Sequence, residues 1–220
     1  MRFGWRSLLQ ARAGGTGGIE AKYEQQLLNK LFDLSGKTAY VTGAAQGMGS
    51  WIAAGMARCG ADVALADIGN EEKLEGVAQR VRELGRQALT LRVDVRDRPG
   101  VEQSMKEAAE QLGGINILVA NAGGYNCCRA VYPHLKSAGG GKVAYCASKG
   151  ALLPLSKSLA VAWGKDNIQV NCLLPGAINT PFLDTVVNTK DKLDYLMDRI
   201  PAGKLAYSRF TGSLWLKRSC

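Results

Sequence analysis

Short apolar runs alternate with longer mixed segments through the first half of the chain. The apolar runs predict strands at 37–42, 61–66, 88–95 and 115–120. The segments between them carry apolar residues at helical spacing and predict helices at 48–59, 71–84 and 101–112. Because the strands are nearly continuous apolar runs, both faces of each strand are expected to be covered. The pattern therefore predicts an α/β fold with a doubly wound parallel sheet.

The second half of the chain has a less regular pattern. It predicts a helix at 127–137, a long helix at 145–163 and a strand at 168–174. Pro154 falls inside the long predicted helix and is expected to kink it, because proline removes a backbone hydrogen-bond donor. Pro175 and Gly176 close the last predicted strand.

The net charge of +9 is concentrated at the two ends of the chain. Residues 1–19 contain three arginines and no acid, and residues 203–220 contain four basic residues and no acid. The charge between them is close to balanced, so no nucleic-acid partner is expected. We divide the 220 residues into a flexible basic leader (1–30), a folded body (31–204) and an atypical tail (205–220).

Composition narrows the remaining classes of function. No apolar run approaches the ~20 residues of a membrane-spanning helix, so no membrane partner is expected. The six cysteines include no C-x-x-C pair, and there is one histidine, so no metal site is expected. We expect a cytoplasmic protein, and the arginine-containing, acid-free N-terminus leaves an organelle as the alternative location.

A glycine-rich turn, Thr42-Gly43-Ala44-Ala45-Gln46-Gly47-Met48-Gly49, joins the first predicted strand to the first predicted helix. Glycines permit close approach to a pyrophosphate, and the helix N-terminus supplies free N–H groups. Asp67, 18 residues after Gly49, follows the second predicted strand. A carboxylate there accepts hydrogen bonds from a ribose diol and repels a 2′-phosphate, and 43–49 contain no Arg or Lys. The sequence therefore predicts a Rossmann-like site for NAD rather than NADP.

Taken in order, these and further motifs resemble the short-chain dehydrogenase/reductase family over about residues 31–204. The further motifs are Asp94-Val95, Asn121-Ala122-Gly123, Tyr145-x-x-x-Lys149 and Pro175-Gly176 followed by Ile178 and Thr180. The resemblance implies cofactor contacts from Gly43, Gln46, Gly47, Met48, Gly49, Asp67, Asp94, Val95, Asn121, Ala122, Gly123, Tyr145, Lys149, Pro175, Gly176, Ile178 and Thr180.

The same resemblance implies an NAD-dependent oxidoreductase that transfers hydride between the nicotinamide ring and a small alcohol or ketone. Tyr145 and Lys149 would be its catalytic residues, with the tyrosine exchanging a proton with the substrate oxygen. A free phenol has a pKa of about 10, and a lysine ammonium one helical turn away lowers it. The i, i+4 spacing places both residues on one face of the predicted helix.

The catalytic half is expected to be incomplete relative to that family. The family carries a serine on the strand before the tyrosine, but residues 142–144 are too short to form a strand. Ser137 and Ser148 lie on unsuitable elements, and Asn126 is the nearest match to the family's asparagine.

Two pieces are expected to be missing, the serine strand and the last strand of the sheet. The last strand normally contributes to subunit contacts, so the family's homo-oligomer is not assured for this chain. These losses are typical of a truncated isoform. They leave an alternative function open, a non-catalytic relative that binds NAD or misfolds.

Overall fold

Six parallel strands form one sheet in the computed structural model, in the order β3-β2-β1-β4-β5-β6. The strands are β1 (Thr38–Thr42), β2 (Asp62–Asp67), β3 (Ala88–Arg92), β4 (Ile117–Ala120), β5 (Gly141–Cys146) and β6 (Ile168–Leu173). The structure describes residues 32–69, 71–122, 124–146, 152–173, 175–180, 183, 187–200 and 203–207. The order of strands reverses between β1 and β4, which is the arrangement of a doubly wound Rossmann fold. The predicted fold class is confirmed.

Helices on both faces bury the apolar strands. They are α1 (Gly47–Arg58), α2 (Glu71–Glu83), α3 (Arg98–Leu112), α4 (Gly124–Ser137) and α5 (Leu152–Trp163). Helices α1 and α2 pack on one face of the sheet, against strand residues such as Val41, Val63 and Leu65. Helices α3 and α4 pack on the other, against alternate residues such as Tyr40 and Leu118. This burial on two sides explains why consecutive positions in the strand centres, 39–41 in β1 and 63–66 in β2, are all apolar.

The strand that we expected to be missing is present. Gly141–Cys146 forms β5 between β4 and β6, and the Cα of Tyr145 lies opposite Ala120 on one side and Cys172 on the other. The predictions that residues 142–144 could not form a strand and that a helix begins at 145 were therefore wrong. Without a strand here, β4 and β6 would each present unpaired main-chain groups at the middle of the sheet, and such groups are costly when buried.

Helix α5 consequently begins later than predicted, at Leu152 rather than at residue 145. Pro154 thus lies in the first turn of the helix. The N–H groups of a first turn have no partner within the helix, so proline removes no hydrogen bond there. The physical reason for the predicted kink no longer applies.

A second, two-stranded sheet follows β6. Strand β7 (Ile178–Asn179) pairs in parallel with β8 (Ala206–Tyr207). Helix α6 (Lys190–Met197) lies between them in sequence, and the side chain of Thr189 accepts a hydrogen bond from the Lys192 N–H at its N-terminus.

The described part of the predicted tail is 205–207, and no strand after β6 joins the six-stranded sheet among the described residues. The predicted leader, residues 1–30, lies outside them. None of the described helices combines the length and the apolar character needed to cross a membrane.

A close backbone contact fixes the entry into β5. Gly140 has a φ of +125°, and a Cβ placed on it would lie 2.7 Å from the carbonyl oxygen of Asn167, in the turn before β6. Real Cβ atoms are not found this close to a backbone oxygen, so only glycine fits. Gly140 therefore allows the chain to enter β5 directly beside β6.

The first prediction concerns this contact. Gly140→Ala should reduce the free energy of unfolding more than Gly139→Ala does. Both glycines have positive φ, +125° and +75°, so both variants carry backbone strain, roughly 1–2 kcal/mol for a left-handed residue. Gly139, however, has no atom within 4 Å of an added Cβ. The difference between the variants in urea unfolding measures what position 140 adds beyond an ordinary left-handed glycine, namely its more restricted φ and the clash with Asn167. Equal midpoints would show that β5 does not need this contact.

Candidate functional site

The glycine turn lies at the carboxyl end of β1, where the strand order reverses. Gly43 and Gly47 have φ values of +65° and +57°, a conformation that other residues rarely adopt. At Gly49, in the first turn of α1, an added Cβ would lie 2.1 Å from the carbonyl oxygen of Gly43. The backbone of α1 therefore contacts the end of β1 directly, and no side chain separates them.

The N-terminus of α1 is open to an anion. Gln46 caps the helix with extended backbone, its side chain makes no capping hydrogen bond, and no acid lies in the first turn. The first N–H groups of a helix have no intrahelical acceptor and carry a partial positive charge. Together with the glycine backbone, they can hold a phosphate or pyrophosphate.

The loop after β4 closes the other side of this crevice. The Asn121 side-chain amide donates to the Gly43 carbonyl oxygen at 3.3 Å. Thr42 accepts a hydrogen bond from the Ala122 N–H at 2.9 Å and donates one to the Ala122 carbonyl at 2.6 Å. The ends of β1 and β4 are thus joined by reciprocal hydrogen bonds, which hold the predicted residues Gly43, Asn121 and Ala122 together.

Cys127 contacts the same loop, and no motif in the sequence pointed to it. Its thiol is fully buried and donates to the Ala122 carbonyl at 3.7 Å. Burial raises the pKa of this thiol to about 12, so it stays protonated and unreactive at neutral pH. A buried cysteine is a small apolar residue with a weak donor, which suits the space under the loop. Its position one turn into α4 became evident only from the structure.

The carboxylate of Asp67 lies at the end of β2, half-buried beside the glycine turn. Its two oxygens accept hydrogen bonds from two backbone N–H groups, that of Ala45 at 3.0 Å and that of Gly69 at 2.9 Å. The structure therefore brings this predicted residue next to Gly43, Gly47 and Gly49. The Asp67 carboxylate therefore contacts the backbone of the glycine turn directly.

Asp94 follows β3 and is held by its own loop. Arg96 donates to both carboxylate oxygens through its guanidinium, with Nη2 to Oδ2 at 2.7 Å and Nε to Oδ1 at 3.0 Å. These hydrogen bonds lower the pKa of Asp94 to about 2. Val95, the next predicted residue, is partly buried and packs against the core between the sheet and helices α3 and α4. No motif in the sequence pointed to Arg96 as the partner of Asp94.

The loop after β6 approaches the glycine turn from the opposite side. A Cβ added to Gly47 would have Thr180 as its nearest neighbour, at 3.9 Å. Ile178 begins β7, and Pro175 and Gly176 precede it. Met48 and Leu173, at the end of β6, each pack against the core shared by α1 and the sheet. Thr180 is therefore the residue of this loop that the structure places beside the turn.

The predicted catalytic pair is not brought together in the described residues. Tyr145 belongs to β5 and not to a helix. Lys149 and the predicted cofactor residue Gly123 lie outside the described residues, as does Ser148. The described residues contain no cluster of three or more His, Cys, Asp or Glu side chains suited to a metal ion.

Comparison with known proteins identifies the family. A family model described as short chain dehydrogenase matches residues 37–132, and one described as enoyl-(acyl carrier protein) reductase matches residues 129–214. A curated relative, gluconate 5-dehydrogenase of Gluconobacter oxydans, is 31% identical over 79% of this chain and 84% of its own length. This chain belongs to the short-chain dehydrogenase/reductase family.

Solved structures of family members resemble the fold closely. A short-chain type dehydrogenase/reductase from Mycobacterium marinum is 27% identical, with a TM-score of 0.80 over 86% of this chain and 90% of its own. A 7α-hydroxysteroid dehydrogenase, solved with NADH and 7-oxo glycochenodeoxycholic acid, is 27% identical, with a TM-score of 0.79 over 84% of this chain and 88% of its own.

The alignment with the Gluconobacter enzyme also bears on the length of this chain. The alignment spans 215 positions. It covers only 79% of the 220 residues of this chain, which is fewer than 215 residues. It therefore includes positions at which this chain has no residue. The relative has extra residues inside the matched region.

The second prediction concerns Asp94. Arg96→Gln should return the pKa of Asp94 from about 2 toward the usual value of about 3.9, because the charged donor is lost. The folded pKa lies below the unfolded one, so the pair's stabilisation is present above about pH 4 and is lost as the pH falls toward 2. Carboxyl carbon chemical shifts measure this titration. Arg98→Gln, which removes an exposed contact with Glu102 at 2.7 Å, is the matched control. An unchanged Asp94 titration in Arg96→Gln would assign the low pKa to another cause.

Proposed function

We propose that this chain binds NAD at the glycine turn and that its reaction is hydride transfer between the nicotinamide and a small alcohol or ketone. The observation that carries the proposal is the convergence on one crevice of the glycine turn, the Asn121 loop and the Asp67 carboxylate. The open N-terminus of α1 offers N–H groups to the pyrophosphate. NADH in a related solved structure supports the same class of cofactor.

The residues present fit a dinucleotide. Gly43 and Gly49 cannot carry a Cβ without displacing Asn121 or the Gly43 carbonyl, so the turn keeps this shape only with glycine at both positions. The Asp67 carboxylate would accept hydrogen bonds from the adenosine ribose diol. Its charge supports NAD over NADP, because a 2′-phosphate would be repelled. The bound nicotinamide supplies a hydride acceptor or donor, and Thr180 and its loop would lie toward that end of the site.

The third prediction tests NAD binding. NAD at 100 times its dissociation constant should raise the free energy of unfolding of the full chain by about 2.7 kcal/mol, and NADP at the same concentration should raise it less. Asp67→Ala should weaken NAD binding and reduce the difference between the two nucleotides, because a diol acceptor and a negative charge are both removed. Thermal unfolding with each nucleotide measures both effects.

The matched control for this measurement is Glu110→Gln. Glu110 is an exposed carboxylate near the end of α3, 3.9 Å from Lys106, and its loss removes one charge without touching the glycine turn. It should leave the response to NAD unchanged. If wild-type protein is not stabilised by millimolar NAD, the proposed function is wrong.

A second function is favoured by one observation, the position of Tyr145. A residue in β5 cannot at the same time lie one helical turn before Lys149, so the backbone arrangement that the catalytic pair requires is absent from this strand. The second function is NAD binding without turnover.

The fourth prediction separates the two functions. If Tyr145 transfers the proton, the wild-type chain oxidises small alcohols with NAD and Tyr145→Phe is slower by at least about 100-fold, the lower range for a lost general acid or base. If the second function is correct, wild type and Tyr145→Phe both bind NAD and neither produces NADH. Absorbance at the NADH band, with saturable NAD binding shown on the same samples, distinguishes these results. Equal, measurable turnover by both proteins would contradict a catalytic role for Tyr145.

A further inference from the structure

The contacts of Asp67 are made within the chain itself. Oδ2 accepts the Ala45 N–H at 3.0 Å, inside the glycine turn, and Oδ1 accepts the Gly69 N–H at 2.9 Å, in the turn that leads to α2. One side chain therefore joins the β1–α1 turn to the β2–α2 turn. Hydrogen bonds from backbone N–H groups to a charged carboxylate are stronger than those between neutral groups.

The main chain at the end of β2 supports the same junction. The Ala44 N–H donates to the Ala66 carbonyl at 3.2 Å, and the Val93 N–H donates to the Asp67 carbonyl at 2.9 Å. Ala44 is fully buried and Ala45 is 8% exposed, so this part of the turn is packed against the body of the protein. The Asp67 carboxylate adds a side-chain contact to these main-chain hydrogen bonds, and Lys73 adds an exposed one by donating from Nζ to Gln46 Oε1 at 3.3 Å.

These contacts leave acceptor positions on the carboxylate unused by the backbone. An ionised carboxylate has about four acceptor positions, two on each oxygen. The N–H groups of Ala45 and Gly69 occupy one position on each oxygen. One position on each oxygen remains, which matches the two hydroxyls of a ribose diol. The carboxylate can thus keep both backbone contacts while it accepts the diol.

We propose that Asp67 is a positioning residue for the glycine turn as well as the acceptor of the ribose diol. Its diol contact rests on the proposed NAD binding, but its effect on the turn is a property of the nucleotide-free chain. Removing the carboxylate frees the Ala45 and Gly69 N–H groups and loosens the turn that holds the pyrophosphate. Substitution at Asp67 therefore weakens NAD binding through the loosened turn as well as through the lost diol contact.

Amide hydrogen exchange in the full chain without nucleotide tests this inference. In Asp67→Ala, the Ala45 and Gly69 amides should exchange at least about tenfold faster than in wild type, because each loses a charged acceptor. Asp67→Asn has the same shape and keeps one acceptor oxygen, so at least one of the two amides should be faster while the other is affected less. The exposed variant Glu110→Gln should leave both amides unchanged.

The outcomes distinguish this inference from the proposed function. Unchanged exchange at Ala45 and Gly69 in both Asp67 variants overturns the positioning role, even if NAD binding is weakened. Faster exchange in a chain that does not respond to NAD supports the positioning role and contradicts the proposed function. If Asp67→Ala does not fold, Asp67→Asn provides the same comparison.

Discussion

The close approach of the Gly49 backbone to the Gly43 carbonyl sets the geometry on which the site depends. With no room for a Cβ at Gly49, α1 begins directly against the end of β1. Its first N–H groups then face the crevice where the strand order reverses. Asn121 reaches this turn from β4, and Asp67 reaches it from β2. The contacts that Asn121 and Asp67 make with the turn therefore depend on glycine at 43 and 49, which lets the start of α1 lie directly against the end of β1.

The first half of the fold and the cofactor turn could be predicted from sequence because their signals are local. Buried parallel strands are rich in apolar residues on both faces. Strands β1, β2 and β4 begin and end within two residues of the predicted bounds. Asp67 was predicted from its place after the second run. Its partners Ala45 and Gly69 were not, because backbone donors carry no signature in a sequence. Arg96 and Cys127 were missed because their roles depend on loop and helix positions.

The second half could not be predicted in the same way, because its strand is determined by distant partners. The spacing of Tyr145 and Lys149 is a local helical signal, whereas β5 gains main-chain pairing with β4 and β6. The contact between Gly140 and Asn167 adds a constraint that no periodicity reveals. Non-local pairing outweighed the local signal, as expected where an unpaired position would lie in the middle of a sheet.

Tyr145 and Cys146 cannot belong to a strand of the sheet and to a catalytic helix at the same time. Residues 141–146 complete the sheet, and a catalytic helix that began at Tyr145 would have to take two of them from β5. The gluconate 5-dehydrogenase relative has residues within the matched region that have no counterpart in this chain. In this chain, the glycine turn, Asp67 and Asn121 lie at the carboxyl ends of β1, β2 and β4, away from the residues of β5. The geometry of the glycine turn therefore does not depend on whether residues 145 and 146 belong to a strand or to a helix.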